Sequence, residues 1–188
     1  MATFVRYLVV LLAGCFSGLA LTALVLELGL NFSTVAVGPW KDYSGQDIHE
    51  PYRRAALAVT GEIPLAKGEG TSFIATHDSD GRRLDPACDY LFTGPISQGR
   101  FWTLTRLSTE GFPFSDHLRQ GFTSSEILRN NIGNFDIILS RHARPGNWLP
   151  LSDAPFVLLL RLYDNELYTI DAALTAPVFP QLIRTKCA

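Results

Sequence analysis

Between Arg6 and Glu27 the chain carries no charged side chain. The run YLVVLLAGCFSGLALTALVL, Tyr7 to Leu26, is twenty residues long. As a helix rising ~1.5 Å per residue it spans about 30 Å, the thickness of a bilayer's hydrocarbon core. A secretory signal has a shorter apolar region, about 7–15 residues, closed by a small-residue cleavage site. No clean Ala-x-Ala site follows here, so a retained transmembrane helix is the preferred reading. Cleavage near Ala20 or Ala23 is the weaker one. Arg6 and the free amine precede the run, Glu27 follows it, and the next cation is Lys41. That asymmetry places the N-terminus in the cytoplasm and the rest of the chain outside. Gly14 and Gly18 form a small-xxx-small pair on which two such helices could approach, but glycine is frequent in membrane helices and needs no partner to explain it.

The remainder, about 155 of the 188 residues, is enough for one ordinary hydrophobic core. Charged residues make up 18% of the chain, below the ~25% usual for soluble domains, in part because of the apolar N-terminus. Sixteen Lys+Arg stand against eighteen Asp+Glu with no basic cluster, which leaves nucleic-acid binding without its electrostatic footprint. Of three cysteines, Cys15 falls in the apolar run and reads as a small apolar residue. Cys88 and Cys187 could pair in an oxidising compartment. The reading preferred from sequence is two unrelated thiols, one buried and one in a loose C-terminal tail, since pairing is not legible in sequence alone. No Cys-x-x-Cys or Cys/His cluster suggests zinc, and no cofactor is implied.

Three parts are expected: an anchor over 1–30, a linker or incoming strand over 31–46, and a β domain over 47–188. Trp40 in the linker reads as docked on the domain or at the membrane interface. Ile48, Tyr52, Ala55, Ala56 and Val59 recur at helical spacing, with Asp47 as N-cap and Gly61 after the end, which predicts a helix over Ile48 to Thr60. From there the pattern becomes short strands between turn clusters: Thr71 to His77, Cys88 to Thr93, Arg100 to Leu107, Phe135 to Leu139 and Phe156 to Tyr163. The last is apolar on both faces as far as Leu160, so it belongs in the middle of a sheet. A short helical turn fits Ser124 to Arg129. Short strands punctuated by turns predict a mainly β fold, a jelly-roll-like sandwich with one or two short helices behind one transmembrane helix.

Candidate sites are sparse. Asp78, Asp80, Asp85 and Asp89 form the densest acidic region, and carboxylates spaced by two on a Gly-containing loop could hold calcium. The ligand spacing of an EF-hand is absent, and a hairpin turn, where Asp and Gly supply local hydrogen bonds and left-handed geometry, is preferred to a metal loop at Asp78, Asp80 and Asp85. His49, His77, His117 and His142 are scattered and read as surface or satisfied core histidines. Ser124 and Ser125 have no neighbouring base in sequence. Pro145 to Pro150 has strong turn character, with Asn147 capping backbone groups and Trp148 plugging the sandwich. The functional alternative makes Asn147 and Trp148 a rim for a sugar or lipid headgroup. The long segment Ser108 to Ser124 presents Phe112 and Phe114, and such loops often carry function.

The stretches PYRRAALAVTGEIPL (Pro51 to Leu65), DSDGRRLDPACDY (Asp78 to Tyr90), GRFWTLT (Gly99 to Thr105), PGNWLP (Pro145 to Pro150) and LRLYD (Leu160 to Asp164) occur in that order. Together they resemble the bacterial domain of unknown function 1214, over about Gly38 to Ile183. The resemblance implies a jelly-roll-like β fold, and short members like this one with an N-terminal membrane segment. Others carry the same domain after a domain of unknown function 1254. It implies no reaction and no catalytic residues. Gly68-Glu69-Gly70 departs from the bulkier approach expected before the strand at Thr71.

The expected function is therefore a non-enzymatic binding or assembly module of the bacterial envelope, single-pass in the inner membrane with its domain in the periplasm. Its partner would be an envelope protein, possibly of the 1254 type, or a glycan or lipid; a homodimer is also compatible. The competing reading is an envelope hydrolase, which would need Asp80, Asp85, His77 or His117 to converge in a cleft.

Overall fold

The computed structural model describes residues 2–27, 36–42, 65, 69–96, 101–164 and 179–187. The uncharged run lies in one helix, α1 (Ala2–Glu27), of which Thr3–Leu24 is long and apolar enough to cross a membrane. Among the described residues nothing buries that span. The helix expected over Ile48 to Thr60 lies outside the described residues.

Among the described residues ten strands follow: β1 (Ala36–Val37), β2 (Trp40–Asp42), β3 (Gly70–Ala75), β4 (Cys88–Thr93), β5 (Phe101–Ser108), β6 (Gly121–Thr123), β7 (Asp136–Ser140), β8 (Asn147–Pro150), β9 (Phe156–Tyr163) and β10 (Gln181–Cys187). They form a six-stranded sheet in the order β1-β2-β3-β9-β5-β6 and a four-stranded sheet in the order β10-β4-β7-β8. The chain passes repeatedly from one sheet to the other, as in a jelly-roll-like sandwich, so the mainly β expectation holds. The five strands expected from the sequence are β3, β4, β5, β7 and β9, each within a residue or two of its expected limits.

Side chains from both sheets meet in one core. Trp40, Tyr90, Phe92, Leu104, Ile137, Leu149, Leu158, Leu160 and Leu182 are fully buried in it. Aromatic edges span the two sheets: Phe92 meets Trp102 at 6.2 Å between ring centroids, and Tyr90 meets Phe156 at 6.2 Å. Trp40 docks on the domain rather than the membrane interface, its Nε1 donating to the Pro180 carbonyl at 2.7 Å. The sequence places β9 mid-sheet, and it pairs there with β3 on one side and β5 on the other. Its outward residues Val157 and Leu159 join Leu107 in a second apolar cluster on the far face of the sheet. Gly70 has a reason of its own: a Cβ there would lie 2.2 Å from the Leu162 carbonyl oxygen, so the strand can approach β9 only as glycine.

Three local expectations are corrected. Pro145 to Pro150 is not only a turn, because Asn147–Pro150 forms β8, parallel to β7. Within it Leu149 faces the core, while Trp148 is half-buried on the other face and donates Nε1–H to the Ser140 carbonyl at 2.9 Å. Trp148 therefore does not plug the sandwich. Secondly, the short helical turn expected over Ser124 to Arg129 is a turn confined to 124–126. The Thr123 amide donates to Glu126 Oε1 and the Glu126 amide to the Thr123 carbonyl, as at a helix start. The helix does not continue because the Leu128 amide is taken by Asn147 Oδ1 at 2.7 Å.

The third correction concerns Cys88 and Cys187, which are bonded to each other. The C-terminal segment is no loose tail but strand β10, and its antiparallel register sets Cys187 opposite Cys88 with Cα atoms 3.9 Å apart. Ninety-nine residues separate the two cysteines, so only long-range strand pairing could have revealed the partnership.

Candidate functional site

Strand register fixes two ends of the sandwich. At one, β4 and β9 finish, β5 and β7 begin, and the chain leaves β6. At the other lie the connections 76–87, 109–120 and 151–155 and the start of 141–146, which returns toward the first end because β8 runs parallel to β7.

The first end holds a groove of about 450 Å³. One wall is Gly94, Pro95 and Ile96, where the chain leaves β4; another is Ser124 and Ser125 beyond β6; the third is Arg129, Gly133, Asn134 and Phe135 before β7. Phe101 and Trp102 of β5 complete it. Trp102 and Phe135 stack with centroids 5.0 Å apart, and both are almost wholly buried, so they form a stiff floor continuous with the core. The Arg129 guanidinium lies 5.3 Å from the Phe135 centroid and donates to the Gly133 carbonyl at 3.0 Å. Those contacts hold a cation at the groove while leaving guanidinium donors to spare. Ser124 accepts the Trp102 amide on its Oγ at 3.3 Å and donates its own amide to the Trp102 carbonyl, which pins the β6 wall to the floor.

The third wall is a rigid loop. Asn130 Oδ1 accepts the amides of Ile132 and Asn134 at 3.1 and 2.9 Å, and the Asn130 amide donates to the Asn134 carbonyl at 2.8 Å. Gly133 has a positive φ of 82°, which closes the turn at no steric cost. Asn147, expected to cap backbone, ties the loop to β8. Its Nδ2 donates to the carbonyls of Leu128 and Asp136 at 2.8 and 3.0 Å while Oδ1 takes the Leu128 amide.

The opposite end is closed by ions and a disulfide. Arg106, on the core-facing side of β5, is fully buried, yet its guanidinium donates to Asp116 at 2.5 Å and to the Arg119 carbonyl at 3.1 Å and lies 4.7 Å from the Phe114 centroid. Burial pushes the Asp116 carboxyl up, but the hydrogen bonds from Arg106 and Gln120, the Arg106 charge and the Leu118 amide outweigh it, and the group sits below its ordinary value. Asp89 behaves alike: burial raises it, while Ser140, Arg144 and the His142 charge hold it below the usual carboxylate range. Arg144 bonds Asp89 at 2.6 Å and Arg141 bonds Asp153 at 2.5 Å.

The acidic loop is spent on structure. Asp78 is buried, accepts the amides of Asp80 and Arg82, and faces Arg82 and Arg184 at 3.3 and 3.1 Å. Asp80 pairs with Arg82, and Asp85 accepts the Ala87 amide at 2.9 Å. Among the described residues no group of three or more His, Cys, Asp or Glu is placed to hold a metal. His77 shares a 2.8 Å hydrogen bond with Thr76, and His117 is exposed. Phe112 is half exposed at this end, on the loop leaving β5, whereas Phe114 is packed against Arg106.

Of the described residues weighed as candidate sites from sequence, only Ser124 and Ser125 line the groove; Asn147 braces its loop from behind. Arg129, Asn134 and Phe135 were missed as site residues. Their signal was the Asn-Asn-Ile-Gly-Asn turn at 130–134, a polar loop that nonetheless keeps bulky Leu128 and Ile132.

The VPA0106 protein from Vibrio parahaemolyticus, known from a crystal structure, is similar in fold, with a TM-score of 0.55 and 22% identity over 72% of this chain. The chain spans only 35% of that protein's length. A crystal structure of an uncharacterized protein from Burkholderia cenocepacia aligns with a TM-score of 0.48 and 18% identity, over 89% of this chain and 40% of that one. No curated protein matches the chain. The model of the protein of unknown function family DUF1214 matches residues 69–166, just over half of the sequence and all of β3 to β9. The chain belongs to the DUF1214 family.

Proposed function

We propose that the chain is a single-pass protein of the bacterial inner membrane whose sandwich, on the periplasmic side, binds a hydroxyl- or phosphate-bearing envelope molecule in the groove over Trp102 and Phe135. The observation that carries this reading is the groove's chemistry. At about 450 Å³ it falls within the size range of small-molecule sites, and its open lining is slightly more polar than apolar, which suits a polar ligand. Ser124, Ser125, Asn134 and Arg129 supply donors around an aromatic floor, the combination that suits a polar headgroup or glycan. The helix α1 supports the anchor, and the Cys88–Cys187 disulfide supports a domain held in an oxidising compartment. Phe112, half exposed at the opposite end, stays the proposed contact for a protein partner, a 1254-type envelope protein being the first candidate.

The test is native mass spectrometry of the full chain released from membranes. A bound small molecule on the parent protein, lost in Ser125→Trp, is the expected result, because Ser125 is exposed and an indole there fills the groove without entering the core. A parent protein that carries nothing, or a ligand retained unchanged in Ser125→Trp, overturns the assignment.

A further inference from the structure

From the cation-lined hollow beside the Cys88–Cys187 bond, we infer that Cys187 is a site of thiol–disulfide exchange that selects thiols carrying negative charge next to the sulfur. The inference does not rest on the groove reading: it concerns the opposite end of the sandwich and a different chemistry.

The first observation is the asymmetry of the bond. Cys88 is buried, whereas Cys187 is exposed. Cys187 ends β10, which is the edge strand of the four-stranded sheet, so among the described residues no further strand covers it. An incoming group therefore meets the Cys187 half of the bond first. Disulfides exposed in this way are the ones open to exchange.

The second observation is what surrounds that half. Cys187 lines a hollow of about 90 Å³ together with Asp89, Arg141, His142, Arg144 and Lys186. Strand register gathers them. Lys186 lies opposite Asp89, and the connection 141–146 starts where β7 ends, one step past the pair of Tyr90 with Leu139. The hollow holds about three water-sized groups, so it admits the reacting end of a ligand and not the whole of one. Arg144 bonds Asp89 at 2.6 Å, and Arg141 bonds Asp153, which is itself 87% exposed, at 2.5 Å. Each pair uses one guanidinium nitrogen and leaves other donors over. Lys186 is exposed and has no ion-pair partner among the described residues. The lining thus sets three permanent cations, Arg141, Arg144 and Lys186, against the single carboxylate of Asp89.

Thiol–disulfide exchange brings in one anion and expels another, and cations beside the sulfurs favour both. The incoming thiolate bonds to the Cys187 sulfur. The bond to Cys88 breaks with its electron pair on the Cys88 sulfur, which takes a proton from water. The incoming sulfur is oxidised, Cys88 is reduced, and Cys187 keeps its oxidation state in a mixed disulfide. Leu182 and Ile183 still pair with Phe92 and Leu91, so β10 stays on the sheet while its end is released. A second charge on the thiol is drawn to the same cations.

The test uses the folded full chain with Cys15→Ala and three small thiols: anionic 2-mercaptoethanesulfonate, neutral 2-mercaptoethanol and cationic cysteamine. Rates are corrected for thiolate fraction, and adducts are located by intact mass and peptide mapping. The expected result is an adduct on Cys187 that forms about fivefold faster with the sulfonate than with the neutral thiol at low salt, with cysteamine slowest and the spread collapsing at high salt. Lys186→Gln, at an exposed position, should narrow the spread; if that variant does not fold, the salt dependence of the parent decides the same point. Equal rates, cysteamine fastest, or a spread untouched by Lys186→Gln overturns the selectivity. Adducts on Cys88, or opening only after denaturant is added, overturns the exchange site and leaves the bond a purely structural one.

Discussion

The two ends of the sandwich are built on opposite principles. The groove end is held by packing and by neutral hydrogen bonds: a Trp102–Phe135 stack, Asn130 and Asn147 bracing one loop, and aliphatic side chains left outward. The opposite end is clamped by charge and covalency: Arg106 with Asp116, Arg184 with Asp78, Arg144 with Asp89, and the Cys88–Cys187 bond. A buried ion pair stabilises little in net terms, because desolvation offsets most of the attraction, but it fixes a single arrangement. The contrast teaches where adaptability is allowed. The clamped end orders the long connections, while at the groove end, among the described residues, Leu128, Arg129 and Ile132 are exposed.

The largest effect expected is Trp102→Ala, at about 3–5 kcal/mol, since the indole is buried and floors both the groove and the core. Trp148→Ala, at a half-buried position with one hydrogen bond, should cost clearly less in the same chemical-denaturation series. Equal costs would erase the distinction between the two tryptophans.

Next comes the clamped end. Cys88→Ser with Cys187→Ser should cost about 3–4 kcal/mol, as the bond closes a long loop in the unfolded chain. Asp116→Ala should cost about 3 kcal/mol by stranding the buried Arg106 charge, and Arg106→Met with Asp116→Leu should recover most of it. A neutral Asp116→Ala would mean that water already serves the guanidinium.

Acid should separate the two ends without mutation. Asp89 and Asp116 both sit below their ordinary values, so they bind fewer protons in the folded chain than in the unfolded one. Their contribution is fully present above about pH 4 and is lost as pH falls through the lowered folded values. Amide exchange at pH 3 should speed up in 109–120 and 141–146 before it does in 124–135. Simultaneous loosening of all three segments would show that the ends are one cooperative unit.

The smallest effect belongs to the groove rim. Ser125→Ala and Ile132→Ser should each change stability by less than about 0.5 kcal/mol, because both side chains are exposed. A larger loss at either would make the rim part of the scaffold.

By itself the sequence determined the elements whose signal is local. An uncharged run of twenty residues reads as a helix that needs an apolar partner, and period-two alternation marked β3 and β5, while β9, apolar on successive residues, had to be central because both its faces are buried. The sandwich class followed from those strands and their turns, and the family resemblance from five stretches that occur in a set order. Tertiary structure alone decided what depends on register between distant segments. β10 is a strand because β4 offers it an edge, and only that pairing brings Cys187 to Cys88. β8 is short and contains Pro150; its four residues carry little period, and β7 supplies the order. The groove gathers residues from 94 to 135 that share no spacing, since the ends of four strands, not the neighbours in the chain, set the distances between them.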